Sequence, residues 1–336
     1  MNSYERVYAR LAGEAVDKIP NLNIAMALVA KNAGTSYQAY AQDYRKLVEG
    51  NLVCLDKFGF DAVSAISDPV RETSAYGGVI HFPENSVPFT KPHLLEDDAD
   101  LTRVQIVSPL SSPRTYDRIQ GVRLLREKVG KEYPVIGWVE GILAEIGDLR
   151  GVSNLMIDLI EEEDWLRELM EMVLDFQKSF ALEQIKAGAD IIGIGNAVAS
   201  LIGPVLYEDY ALSYDKKLVN YIHDNGAKVK LHICGNIDPL MPLLREVGPD
   251  ILDIDWMVDF EKAVKAFAGT RTCVNGNLDP VAIFLQGDLT TVEKKTGECI
   301  AVADDTTFIS GGCEIPAETP EENLVLMNKL LYLKEQ

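Results

Sequence analysis

Residues 228–236 read Lys-Val-Lys-Leu-His-Ile-Cys-Gly-Asn. A β-strand is expected over Lys228–Cys234. Strand side chains alternate between faces, so His232 and Cys234, two apart, point the same way. Seven further runs read as strands: Ile19–Ile24, Asp61–Ser67, Pro134–Glu140, Asp190–Gly195, Ile251–Trp256, Thr272–Asn277 and Thr306–Gly311. Amphipathic stretches separate them. The clearest is Glu163–Lys186, where Trp165, Leu166, Leu169, Met172, Val173 and Phe176 recur at helical spacing. Strands that alternate with helices imply a parallel sheet. Eight is the closure number of the (β/α)8, or TIM, barrel. The expected architecture is therefore α/β, a single barrel domain over residues 1–336.

Residues 68–133 depart from the repeat. They contain Gly77-Gly78, Pro83, Pro88, Pro92, Pro109 and Pro113. An insertion shaped by turns between the second and third strands is expected, and such segments often cover an active site.

Barrel enzymes place their chemistry at the C-terminal ends of the strands. His232 and Cys234 end the fifth strand. Ser310-Gly311-Gly312-Cys313 ends the eighth. Strands five and eight face each other across a closed barrel, which puts Cys313 within reach of a metal held by His232 and Cys234. Imidazole and thiolate together suit zinc, and three protein ligands with an exchangeable fourth position is the catalytic arrangement. Asp255 on the sixth strand and Glu140 at the end of the third share that rim. Each is a candidate for a fourth ligand, a catalytic carboxyl or a group that tunes the metal. Asn275 and Asn277 share a face on the seventh strand, and Asn196 ends the fourth. These three are candidates for binding a substrate or cofactor or for orienting a ligand. Gly193-x-Gly195 lacks the third glycine of a dinucleotide fingerprint and is given no phosphate role. Cys54, Cys273 and Cys299 read as small buried residues. No partner spacing assigns His81, His93 or His223. There is no Gly-x-Ser-x-Gly elbow, Walker loop or His-Glu-x-x-His.

The 336 residues carry 52 acidic and 32 basic side chains, a formal charge of −20. That balance argues against a nucleic-acid partner, which demands basic patches, and against anionic membranes. No apolar run approaches the ~20 residues of a bilayer span. Met1–Arg10 has no apolar signal region. A cytoplasmic protein is expected, and its five cysteines then read as free, metal-bound or catalytic.

Several motifs together resemble a known family. They are Arg6-Val7, Val16-Asp17-Lys18-Ile19-Pro20, Gly137-Trp138-Val139-Glu140-Gly141, Ala187-Gly188-Ala189-Asp190, His232-Ile233-Cys234-Gly235-Asn236, Gly311-Gly312-Cys313 and Thr319-Pro320-Glu321-Glu322-Asn323. Along nearly its whole length the chain resembles the uroporphyrinogen decarboxylase superfamily, within it the corrinoid-linked methyltransferases. The resemblance implies a TIM barrel, Zn2+ on His232, Cys234 and Cys313, and methyl transfer to or from cobalt. Its decarboxylases carry an arginine-rich loop after the first strand. Here that region reads Ala30-Lys31-Asn32-Ala33-Gly34-Thr35, without arginine. A polycarboxylate substrate would lack its cationic partners. O-demethylation of a methoxylated aromatic is expected, with Trp138 and Trp256 as candidate stacking surfaces. Thiol methylation of the coenzyme M type is the alternative, ahead of uroporphyrinogen decarboxylation; a zinc-stabilised binding protein is the non-enzymatic one. The chain has no Asp-x-His-x-x-Gly cobalamin motif. The corrinoid is therefore expected on a partner protein, docking at the mouth with the 68–133 segment as lid or contact.

Overall fold

A computed structural model describes residues 1–161 and 164–333. Nine strands occur in it: β1 Val63–Ser64, β2 Ile80–His81, β3 Phe89–Thr90, β4 Val135–Glu140, β5 Ile191–Gly195, β6 Lys228–Ile233, β7 Ile251–Ile254, β8 Cys273–Leu278 and β9 Thr307–Gly311. Seven form one all-parallel sheet in the order β1-β4-β5-β6-β7-β8-β9. β2 and β3 form a separate antiparallel hairpin.

The expected first strand, Ile19–Ile24, is not a regular strand. Residues 19–25 nonetheless fill the gap between β9 and β1. The Pro20 carbonyl accepts from Ile309 N–H and the Asn21 carbonyl from Asp61 N–H. Side chains complete this stave: Leu22 N–H donates to the Ser310 hydroxyl, Gly311 N–H to the Asn23 amide oxygen and Asn21 N–H to the Asp61 carboxylate. Pro20 has no N–H for a ladder, and polar side chains take over the pairing. The result is a (β/α)8 barrel closed by one irregular stave.

Two further expectations shift. The 68–133 segment ends in a helix, Pro113–Val129, which packs on β4 and on helices Tyr44–Phe58 and Asp164–Ala187. Its buried side carries Arg118 beside Ile119, Val122 and Leu125, and the charge hides the apolar stripe. The irregular part is thus 68–112, which includes the β2–β3 hairpin. The helix expected at Glu163–Lys186 is Asp164–Ala187; Glu163 lies outside the described residues.

Strand alternation sorts the core. Outward side chains such as Val139, Ile194, Leu231, Ile254 and Ile309 belong to the layer that includes the surrounding helices. Inward ones at the floor, among them Ile136, Trp138, Ile191, Ile251, Cys273 and Phe308, form a second apolar cluster inside the barrel. Above that floor the interior turns polar. Strand register aligns Glu140, Gly195, His232, Asp253 and Asn275 in one row, with Phe308 at its end.

Candidate metal centre

β6 brings His232 to the rim, and the loop beyond it brings Cys234. The loop after β9 delivers Cys313 from across the barrel. His232 Nε2 lies 3.1 Å from Cys234 Sγ and 3.8 Å from Cys313 Sγ, and the two sulfurs are 3.6 Å apart. Among the described residues this is the one group of three His, Cys, Asp or Glu whose ligand atoms all lie within 4.8 Å of one another. A tetrahedral zinc with ordinary bond lengths would space two sulfurs about 3.8 Å apart and a sulfur and nitrogen about 3.6 Å. The donor set and its spacing fit that ion. All five cysteines are free; Cys54, Cys273 and Cys299 are buried and raised by burial to about 12, 12 and 11.

The carboxylate that holds His232 is Asp253, not Asp255. Asp253 Oδ2 lies 3.1 Å from His232 Nδ1, and its carbonyl oxygen 3.2 Å away. The same carboxylate takes a hydrogen bond from Lys230 on Oδ2 and one from Asn275 on Oδ1. With Nδ1–H so engaged, Nε2 is the nitrogen left for a metal. Burial opposes both charges, yet Asp253 raises the metal-free imidazole to about 10, while Lys230 and His232 hold Asp253 below its usual range. The contact between the two sulfurs lowers Cys313 to about 4, with help from His232, and raises Cys234.

Asp255 follows β7 directly. Its carboxylate accepts Met257 N–H at 3.0 Å, closing the turn after β7. Asn277 donates to the Asp255 carbonyl at 3.3 Å and to the Val258 carbonyl at 2.5 Å, pinning that turn. Asn196 is fully buried, and its amide donates to Asp215 at 3.2 Å, which also accepts from Tyr207 at 2.6 Å. Asn275 thus orients Asp253, Asn277 braces a loop, and Asn196 lines the cavity described next.

A cavity of about 250 Å³ opens beside the metal cluster. His232, Cys234 and Cys313 line one side; Trp138, Glu140, Asn196, Ile24, Met26, Ile66, Pro69 and Val87 line the rest, with Asp68 and Glu314. Pro69 and Val87 come from the 68–112 segment, which therefore forms a wall. Gly193 and Gly195 explain the Gly-x-Gly spacing. A Cβ at Gly193 would sit 2.1 Å from the Trp138 ring, and one at Gly195 would sit 2.8 Å from the Glu140 carboxyl. Their bare backbone makes room for those side chains. Trp138 donates its indole N–H to Glu140 at 2.9 Å. Burial first, then Glu72, push Glu140 well above the usual carboxyl range. Trp256 is 49% exposed and faces a neighbouring groove with Val258 and Phe260, so of the two candidate stacking tryptophans only Trp138 lines the cavity.

Sequence reading passed over Asp253. A signal existed: Lys230 shares the inward face of β6 with His232, and a lysine inside a barrel demands an acid partner. Also passed over were Glu72 and Glu145, both fully buried near Glu140. Nothing local in the sequence marks them.

The sequence profile of the uroporphyrinogen decarboxylase family matches residues 2–331. The methylcobamide:CoM methyltransferase MtbA of Methanosarcina mazei is 29% identical, covering 96% of this chain and 95% of that one. The uroporphyrinogen decarboxylase of Legionella pneumophila strain Lens is 26% identical over 87% of this chain and 86% of that one. A solved structure of a methyltransferase from Methanosarcina mazei superposes with a TM-score of 0.88 at 24% identity over 97% of both chains. No helix among the described residues is long and apolar enough to cross a membrane. The chain belongs to the uroporphyrinogen decarboxylase family.

Proposed function

We propose that this member of the uroporphyrinogen decarboxylase family is a corrinoid-dependent methyltransferase that demethylates a small, uncharged methoxylated substrate onto the cobalt of a corrinoid carried by a partner protein. One observation carries the reading: a single cavity joins the His232–Cys234–Cys313 cluster to the Glu140 carboxyl and to Trp138, and no lysine or arginine lines it.

Zinc held by His232, Cys234 and Cys313 would supply Lewis acidity toward an oxygen or sulfur in the cavity. Asp253 fixes the His232 ring so that Nε2 faces the cluster. Trp138 offers a flat apolar wall for an aromatic ring. When the methyl–oxygen bond breaks, its electron pair stays on oxygen, and the Glu140 carboxyl proton neutralises that oxygen as a general acid. The methyl carbon passes without that pair to the corrinoid nucleophile, and the hard chemistry belongs to the corrinoid. The carrier must cover the mouth, where residues 68–112 supply one wall.

A second reading is methylation of a thiol, favoured by the name of the MtbA relative. The lining residues argue for an uncharged thiol. Among the nearby arginines, Arg71 and Arg114 pair with Asp68, and no cation lines the cavity to meet a sulfonate. The same lack disfavours a porphyrinogen with many carboxylates.

The test is to follow cob(I)alamin consumption by the zinc-loaded protein with a panel of methoxyphenols, and methylcobalamin consumption with neutral and sulfonated thiols. Turnover with methoxyphenols is expected. Turnover with thiols alone would overturn the direction proposed, and a preference for the sulfonated thiol would overturn the argument from cavity charge.

A further inference from the structure

Behind Glu140 lie three carboxyls that the proposed reaction leaves unused. Glu72 sits on the short helix Arg71–Ala75 and is fully buried. Its Oε1 accepts Glu140 N–H at 2.9 Å, while its Oε2 is buried without a hydrogen-bond partner. Glu145, on the helix Ile142–Arg150 that begins just after β4, is also fully buried. Its Oε1 accepts the hydroxyl of Thr73, next in chain to Glu72, at 2.8 Å, and its Oε2 likewise has no partner. Asp148 lies three residues on, on the same face of that helix, and is partly exposed. Its backbone carbonyl meets His93 Nδ1 at 2.8 Å.

Of these four carboxyls Glu140 lines the cavity, Glu72 and Glu145 are buried, and Asp148 is partly exposed. A buried ionised carboxylate with an oxygen unpaired is costly, and a protonated carboxyl avoids the cost. One nearby cation, Arg118, relieves Glu72 and Glu140 in part. Arg118 donates to the carbonyls of Trp138 and Asp68 and lies 3.9 Å from Glu72 Oε2. Arg71 and Arg114 pair with Asp68. The charged and titratable groups facing the line are thus Asp68, Arg118, Tyr76, His93 and its own members. Burial raises Glu72 against the pull of Arg118; burial, then repulsion from Glu72, raises Glu140 and Glu145; and burial pushes Asp148 up to about 7.

We propose that Glu72, Glu145 and Asp148 form a proton line that recharges Glu140 from solvent. The inference rests on the demethylation reading. In each turnover Glu140 gives one proton to the departing substrate oxygen and becomes a carboxylate. One proton then moves inward along the line, and Asp148 takes its replacement from solvent, so no net charge stays buried. Glu72 and Glu145 act through Glu140; they are positioning and relay groups, not catalytic ones.

The experiment compares zinc-loaded wild type, Asp148→Asn, Glu145→Gln and Glu140→Gln with a methoxyphenol and cob(I)alamin. Asp148→Asn and Glu145→Gln are expected to lower kcat by about 10-fold at unchanged KM and zinc content. The lost rate is expected to return as the concentration of a small weak acid such as imidazolium rises, and the solvent deuterium isotope effect to grow. Wild-type kcat in both, or a loss that no weak acid restores with an unchanged isotope effect, would overturn the line while a slow Glu140→Gln kept the demethylation reading intact. A wild-type rate in Glu140→Gln would instead remove the reading beneath it. Should Glu145→Gln fail to fold, the partly exposed Asp148→Asn decides alone.

Discussion

Asp253 and Glu140 occupy one row of the barrel, separated only by Gly195 and His232. Both are buried, at 1% and 6% exposure. Their titrations are shifted in opposite directions. Asp253 meets Lys230, His232 and the Asn275 amide, and stays ionised. Burial, then the repulsion of Glu72, raises Glu140 well above its usual range, against the Trp138 indole N–H, whose hydrogen bond favours the carboxylate. Burial alone does not set the charge; the neighbours do. The barrel therefore offers an electron-rich metal side and a proton-bearing side across one cavity, the division of labour that an acid-assisted methyl transfer needs.

The metal side breaks most completely on loss of a thiolate. Cys234→Ser and Cys313→Ser are expected to fall from about one zinc per chain to under about a tenth by metal analysis. Far-ultraviolet circular dichroism should remain that of the wild type, because the core clusters do not include these residues. Wild-type zinc in both variants would dissolve the contrast altogether.

On the acid side, Glu140→Gln keeps the shape and an acceptor for Trp138 but removes the proton. The transfer rate is expected to drop by roughly 10²–10⁴-fold with zinc content unchanged. A rate that survives while zinc is lost would mean that Glu140 belongs to the metal side after all.

Asp215 sits between the extremes. Burial raises it to about 6, and hydrogen bonds from Tyr207 and Asn196 restrain the rise without any cation. From its ordinary 3.8 up to 6, the folded protein keeps a proton that the unfolded chain releases. Stability from this group is therefore greatest below pH 3.8 and falls by ~3 kcal/mol as pH rises to 6, then levels off. Urea midpoints at pH 4.5 and 7 should shift less in Asp215→Asn than in the wild type. Equal shifts would show that burial does not dominate there.

The smallest effect sharpens the contrast. Asp253→Asn should cost about 10–100-fold in zinc affinity, read by chelator competition. Adding Lys230→Met to it should recover stability, since the lysine loses its charge partner when Asp253 is neutralised. If the double variant is no more stable than the single one, Lys230 is not held by Asp253.

Much of this was legible in the chain itself. The regular strands from Val135 onward announce themselves by alternation, and His232, Cys234 and Cys313 by residue type at strand ends. Three things were hidden for separate reasons. The stave at 19–25 has a strand's apolar residues, but its pairing mixes backbone with side chains from residues 61 and 310, far away in sequence. Asp253 was outranked by Asp255 because both end the same strand; only register shows which faces His232. Glu72 and Glu145 look like ordinary helical acids, and only the packing of helix Arg71–Ala75 against helix Ile142–Arg150 buries them.

The irregular stave has a consequence for timing. Leu22 and Gly311 give their amides to side-chain oxygens rather than to a ladder. Local opening should therefore begin along this edge, and those two amides should exchange with deuterated solvent sooner than those of β5 and β6. Cys313 hangs two residues beyond β9 on that same edge, whereas His232 lies in β6, in the middle of the sheet, and Cys234 follows that strand directly. The cluster is thus hinged on one side: the beat of barrel opening, more than the strength of any one bond, is expected to set how quickly the third ligand lets go.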